Sequence, residues 1–308
     1  MKQLLIIVIS LIAASSCKAD FSIIDTMKNK DKTLARILDY EVEDNERLRI
    51  RFDTSVLLAD YRFNGKRIEA YGYGNEILIN LPYTLSYGEE ATVSITVKKD
   101  TGNYTRASLR IEGHNENLPR MLINELSTDG TSAAPDRVEL YAITSGDTAG
   151  ITISAGSGNE TVSLPSIIVS QGDIIVVYWD KIPKENDYTR PSGRTVFIYG
   201  KAKNTIPSKN GVLMLKSSRS GYILDALIYS DSNGESFSEK TEKDAQMIID
   251  SDHWSGEFLD SSSITASRVF ARRPGAVDSD TAYDWFITQP RKSTFGDENI
   301  YAPFNGDE

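Results

Sequence analysis

The sequence predicts an all-β protein of two immunoglobulin-like β-sandwich domains that follow a signal peptide and a tether. Three observations lead there. The chain has 308 residues, twice the length of a typical domain of about 150 residues. Apolar residues alternate with polar ones at a period of two along many short runs, and clusters of Gly, Asn and Asp separate those runs. Composition sets the outer bounds: 40% hydrophobic and 25% charged residues describe a chain that folds in water, neither disordered nor a polytopic membrane protein.

At the N-terminus, Lys2 precedes the apolar run Leu4 to Ala14, about half the ~20 residues that a membrane-spanning helix needs. That length fits the apolar region of a secretory signal peptide. Ala14, Ser15 and Ser16 lead into Cys17, the one cysteine of the chain, and this junction resembles the lipobox of bacterial lipoproteins, with Ala14 where Leu is common. The resemblance implies cleavage after residue 16 and a lipid on Cys17. Lys18 in the following position implies, by the family's sorting pattern, the outer membrane or the cell surface more than the inner membrane. Residues 17–33 carry no period long enough to bury a face and are expected to be a lipidated tether.

The first sandwich is expected over residues 34–114. Leu48, Ile50 and Phe52 alternate with Arg47, Arg49 and Arg51, the pattern of a strand with one face packed and one wet. Ile77, Ile79 and Leu81, then Val93, Ile95 and Val97, then Leu109 and Ile111 repeat it, with turns at Asn64-Gly65 and Lys99 to Asn103. Tyr87-Gly88, the run Val93 to Val97 and Asp100 to Asn103 resemble the penultimate strand and turn of bacterial immunoglobulin-like domains. His114 to Arg120 is polar with one proline and reads as a linker.

The second domain is expected over residues 121–302. Leu122 to Leu126, followed by Asp136 to Tyr141, supplies its opening strands, and Ile174 to Tyr178 is an unbroken apolar run suited to a strand buried on both faces. Val212 to Leu215 and Leu224 to Ser230 make the next hairpin. Together with Ser267-Arg268, Asp278 to Thr281, Asp284-Trp285, Phe295-Gly296 and Asn299, these segments resemble the lamin-tail domain, an immunoglobulin-like sandwich of nuclear lamins and many exported bacterial proteins. Ala142 after Tyr141 and Phe295 before Gly296 depart from that family's usual Asn and Pro. One helix is expected: Ser236 and Glu239 form a capping-box pattern ahead of Lys240 to Asp250, whose Ala245, Ile248 and Ile249 make an apolar stripe.

Chemistry-bearing motifs are few. Two histidines and one cysteine leave little material for a soft-metal site or a serine triad, and the sequence holds no nucleophile elbow, phosphate loop, zinc-protease or dinucleotide motif. Asp278, Asp280 and Asp284, with Ser279 and Thr281 between them, offer hard oxygens of the kind calcium takes. The favoured reading of that loop is a structural turn, with no metal. The formal charge is −10, opposite to a dedicated nucleic-acid binder. One segment is locally basic, with Arg190, Arg194, Lys201, Lys203, Lys209, Lys216 and Arg219 and no acid between Asp187 and Asp225, while residues 231–260 are rich in acids. These segments are expected to neutralise each other, the alternative being an anion-binding surface with Tyr188, Tyr199 and Tyr222 for stacking. Trp179 and Trp285 are expected in the core, and Trp254 is the exposed candidate.

The expectation is therefore an exported, membrane-anchored lipoprotein that binds or scaffolds through its lamin-tail domain, without catalysis or cofactor. Its partners would be the membrane, through the lipid, and a protein or glycan ligand, nucleic acid being less favoured. The alternatives are an accessory anion-binding subunit of an exported hydrolase and a carboxylate-based hydrolase.

Overall fold

The computed structural model describes residues 34–306 except 133, 157–159, 220, 276 and 277. The segments expected to be a signal peptide and a tether, with Cys17, lie outside the described residues. Among the described residues the fold is all-β with one α-helix, and the apolar residues collect in two large cores, one built from residues 35–111 and the other from residues 121–285.

In the first unit, β1 (Ile37–Glu43), β2 (Arg47–Phe63), β3 (Lys66–Arg67), β4 (Tyr73–Asn80), β5 (Glu90–Lys99) and β6 (Tyr104–Glu112) form one six-stranded sheet of order β1-β2-β5-β6, with β3 and β4 also on β2. The 17-residue β2 organises it. Its first half pairs with β1 and β4, its second half with β5, and bulges mark the passage between them, so the strand turns the sheet around its own core. Leu48, Ile50 and Phe52 are buried as their alternation requires, while Arg47, Arg49 and Arg51 meet Glu43, Glu41 and Asp39 of β1 at the surface. Asp44 and Asn45 (φ 52° and 56°) close the first hairpin and Asn64-Gly65 (φ 47° and 79°) the β2–β3 one, both central residues being left-handed as tight hairpins favour.

The second unit comprises β7 (Met121–Ser127), β8 (Arg137–Ala142), β9 (Gly146–Asp147), β10 (Thr152–Ala155), β11 (Glu160–Ser163), β12 (Ile168–Val169), β13 (Ile174–Tyr178), β14 (Tyr188–Arg190), β15 (Gly193–Tyr199), β16 (Gly211–Lys216), β17 (Ile223–Ser230), α1 (Glu239–Asp250), β18 (Leu259–Asp260), β19 (Phe270–Arg272) and β20 (Trp285–Ile287). A seven-stranded sheet, β14-β15-β13-β8-β7-β19-β20, and a five-stranded sheet, β11-β10-β16-β17-β18, contribute side chains to one shared core, among them Ile123, Leu140, Val177 and Phe270 from the first and Ile153, Leu213, Leu215 and Ile228 from the second. Every residue of β13 is buried. Its inner residues enter that core, and Ile174, Val176 and Tyr178 pack outward with Tyr141, Phe197 and Phe295.

Two local expectations are corrected. The helix is capped by Ser238, whose hydroxyl accepts from the Thr241 N–H at 3.1 Å, whereas Ser236 bonds to Ser232 in the preceding turn. Thr241, Ala245 and Ile248 share the buried face at i, i+4 and i+7, and Ile249 packs partly beside them. Trp254 is 2% exposed, not a surface residue. The chain reverses after α1, with the His253 N–H on the Ile248 carbonyl, and this turns the indole into the core, where its Nε1–H reaches the Glu257 carbonyl at 3.2 Å. Trp179 and Trp285 are buried, as expected.

The polar linker is tied down. Asn115, 6% exposed, donates to the carbonyls of Asp147 and Ala149 at 2.7 and 2.9 Å, and Asn45 holds His114 from the other side. Gly88 of the first unit meets Gly150 of the second so closely that a Cβ on Gly88 would lie 2.5 Å from the Gly150 Cα. Arg219 reaches across to Glu90 at 2.9 Å.

Candidate functional site

The chemistry-bearing residues that the fold gathers are buried carboxylates of the second unit. Glu125 on β7 and Glu139 on β8 are cross-strand partners, both 0% exposed, on the face opposite Val138 and Leu140. Two adjacent carboxylates without water need donors. Residues 294–299 supply them: the Thr294 N–H donates to both oxygens of Glu125 at 2.9 and 3.0 Å, and the Gly296 N–H to Glu139 at 2.6 Å. Asn124 donates to Glu139 at 2.6 Å, and Asn299 bonds back to Asn124 and to the Arg272 carbonyl.

Burial pushes both carboxyls above the usual range, and the charge of Glu125 pushes Glu139 further. The pair therefore holds a proton more readily than free glutamates do. Gly296 is fixed at its other end too, its carbonyl accepting from Tyr188 and Thr195 at 2.7 and 2.6 Å. Its φ is +93°, and a Cβ there would lie 2.8 Å from the Tyr188 hydroxyl. Phe295 lies under the Arg137 guanidinium, 4.1 Å from the ring centroid.

A second network adjoins the first. Arg272 on β19, 5% exposed, donates from Nη2 to Asp225 at 2.8 Å, from Nη1 to Asp278 at 2.7 Å and from Nε to the Ile123 carbonyl at 2.9 Å. Its guanidinium also lies 4.8 Å from the Trp285 ring centroid. Asp225 accepts from the Ile123 and Ala226 N–H groups. Burial still raises its carboxyl to about 7, against the pull of Arg272.

The aspartate triplet separates into different duties. Asp284, 1% exposed, accepts from the Ser279 N–H and hydroxyl at 2.8 and 2.6 Å, a turn-closing role. Asp278 binds Arg272, and Asp280 lies 3.9 Å from His253. Oxygens of Asp225, Asp278 and Asp280 approach within 4.8 Å of one another, and the cation that answers two of them is the Arg272 guanidinium.

The basic segment is divided between places. Arg190 is 7% exposed and donates to Thr195, Ser192 and the Gly172 carbonyl. Arg194 holds the Ile168 carbonyl, and Arg219 holds Glu90. Lys216 donates to the Arg219 carbonyl and lies near Asp244 of α1, whose carboxyl it pulls down against a larger upward push from burial. Lys201, Lys203 and Lys209 are exposed in the β15–β16 connection. Arg190 and Arg194 thus belong to the edge of the seven-stranded sheet, and Lys216 and Arg219 to the end of the five-stranded one.

The residues that sequence reasoning missed are Glu125, Glu139, Asp225 and Arg272. A glutamate inside each opening strand of the second unit, Glu125 beside Leu126 and Glu139 between Val138 and Leu140, was the available signal for the first two. Nothing local marks the others, because 47 residues separate Arg272 from Asp225.

A family model described as "TP_1001_2nd, protein second domain" matches residues 119–287, which hold Glu125, Glu139 and the Arg272 network but not the donor segment 294–299. No curated protein matches the chain. The solved structure of a DUF4876 family protein from Bacteroides thetaiotaomicron VPI-5482 aligns over 87% of this chain and 95% of its own, at 11% identity and a TM-score of 0.28. A likeness at that level carries no argument.

Proposed function

The chain belongs to the TP_1001_2nd family, and from that premise we propose that it is an exported, lipid-anchored protein whose second unit is a non-catalytic binding or scaffolding module of the lamin-tail kind. The observation that carries this reading is the engagement of the buried carboxylates: Glu125, Glu139 and Asp225 each accept backbone N–H groups of their own unit. A general acid or nucleophile faces the place where a substrate sits. These groups face the C-terminal segment and the strand edge, so their chemistry is that of holding a frame. The lamin-tail reading is further supported by its signature residues, since Phe295, Gly296 and Asn299 meet the two opening strands through Arg137, Glu139 and Asn124. The anchor rests on the apolar run before Cys17, and several acyl chains at about 0.8 kcal/mol per buried methylene would hold the protein on a bilayer.

Two readouts test the reading. Mass spectrometry of the mature N-terminus from membranes is expected to find a lipidated Cys17 that disappears in Cys17→Ser, and an unmodified N-terminus would remove the anchor. Incubation with protein and polysaccharide panels is expected to give retention without products. Turnover that is lost in Glu139→Gln while the fold remains would favour the hydrolase instead.

A further inference from the structure

The outward face of the first unit's sheet carries a feature that the frame does not use. Cross-strand partners share a face of a sheet, and the register sets Tyr73 of β4 beside Leu57 of β2, Leu57 beside Lys98 of β5, and Lys98 beside Tyr104 of β6. At strand spacings of about 4.8 Å this row is roughly 14 Å long. Tyr73, Leu57 and Tyr104 are 57%, 36% and 55% exposed, and the Lys98 ammonium sits 5.7 Å from the Tyr104 ring centroid. One pleat along, Thr96 pairs with Arg106, adding a hydroxyl and an exposed guanidinium to the same face.

The charge on this area opposes that of the whole. Asp60 is shared by Arg62 and Arg67, and Lys98 and Arg106 add two further cations to this face, with Glu69 exposed in the connection that borders β2, within a chain of net charge −10. Lys99 and Asp100, at the adjoining turn, cancel. Flat rings alternating with cations and a hydroxyl match a polymer with apolar ring faces, hydroxyls and regularly spaced carboxylates or sulfates.

We propose that this face binds an acidic polysaccharide, with Tyr73 and Tyr104 stacking on sugar rings and Lys98 and Arg106 pairing with their acidic groups. The proposal rests on the reading of the chain as a binding protein and adds to it a ligand class on the first unit, separate from whatever the second unit binds. A nucleic acid would meet the same cations and the same surrounding acids, so poly-dT is the competing probe in the test.

The test is affinity electrophoresis and calorimetry of the full chain in detergent. The probes are alginate, heparin, neutral dextran, poly-dT and phosphatidylglycerol vesicles. Alginate or heparin is expected to bind and dextran not, with affinity falling as salt rises. Tyr73→Ala/Tyr104→Ala and Lys98→Glu/Arg106→Glu, whose side chains are exposed, are expected to melt like the wild type and to bind at least tenfold more weakly. The charge-reversal pair should also lose the salt dependence. Equal binding by these variants, no binding of either acidic polysaccharide, or a preference for poly-dT or vesicles would each overturn the proposal. Shortening of the alginate chains would instead overturn the non-catalytic reading, which separates the two failures.

Discussion

Arg272 is the buried cation that answers Asp225 and Asp278. Its three nitrogens answer Asp225, Asp278 and the Ile123 carbonyl, so Arg272→Met leaves the buried Asp225 carboxylate without its counter-ion. Breaking a buried pair from one side typically costs about 3–5 kcal/mol. That loss is expected in urea unfolding, and Asp225→Asn added to Arg272→Met should recover part of it, because the orphaned charge is gone. Gly296 makes a sharper steric case. With φ at +93° and the Tyr188 hydroxyl 2.8 Å from where a Cβ would stand, Gly296→Ala is expected to cost about 1–3 kcal/mol, read as a lower Tm. An unchanged Tm would mean that the C-terminal segment is not held as described.

Among elements, α1 and the C-terminal segment differ in what anchors them. The helix has a good N-cap in Ser238 and buries Thr241, Ala245 and Ile248, so Ser238→Ala should cost about 1 kcal/mol while Ser236→Ala costs little. Thermal melts of the two variants distinguish the caps. The strands were legible because a half-buried strand writes its two faces into alternate letters, as Leu48 to Phe52 and Val93 to Val97 do. The helix was legible for the same reason at its own period, although two serines two residues apart competed for its cap. What the letters could not show was the junction of Glu125 with Glu139, since their pairing depends on a register shift between Ile123 and Glu125. In the basic segment, nearness in sequence does not say what each cation meets: β14 and β15 direct Arg190 and Arg194 to the Gly172 and Ile168 carbonyls, while the β16–β17 turn sends Arg219 to Glu90.

For the whole molecule, two cores are joined by a short, hydrogen-bonded connection and a backbone contact between Gly88 and Gly150. Gly88→Ala, at φ +69° with backbone 2.5 Å away, is expected to open this junction and raise hydrogen exchange at Asn115 to Asn117 without altering either core. The central claim is that the buried carboxylates of the second unit clasp its own C-terminal segment. Both glutamates bind their proton more tightly folded than unfolded, because burial raises them above 4.5. Their contribution to stability is therefore full below about pH 4.5 and is lost as the pH rises through neutrality, at up to about 1.4 kcal/mol per pH unit for each proton. The most direct measurement is urea unfolding at pH 5 and pH 8 of the wild type and of Glu139→Gln. The account predicts a wild type that is less stable at pH 8 and a variant in which that difference shrinks, whereas a wild type that gains stability with pH, or a variant with the same pH dependence, would contradict it.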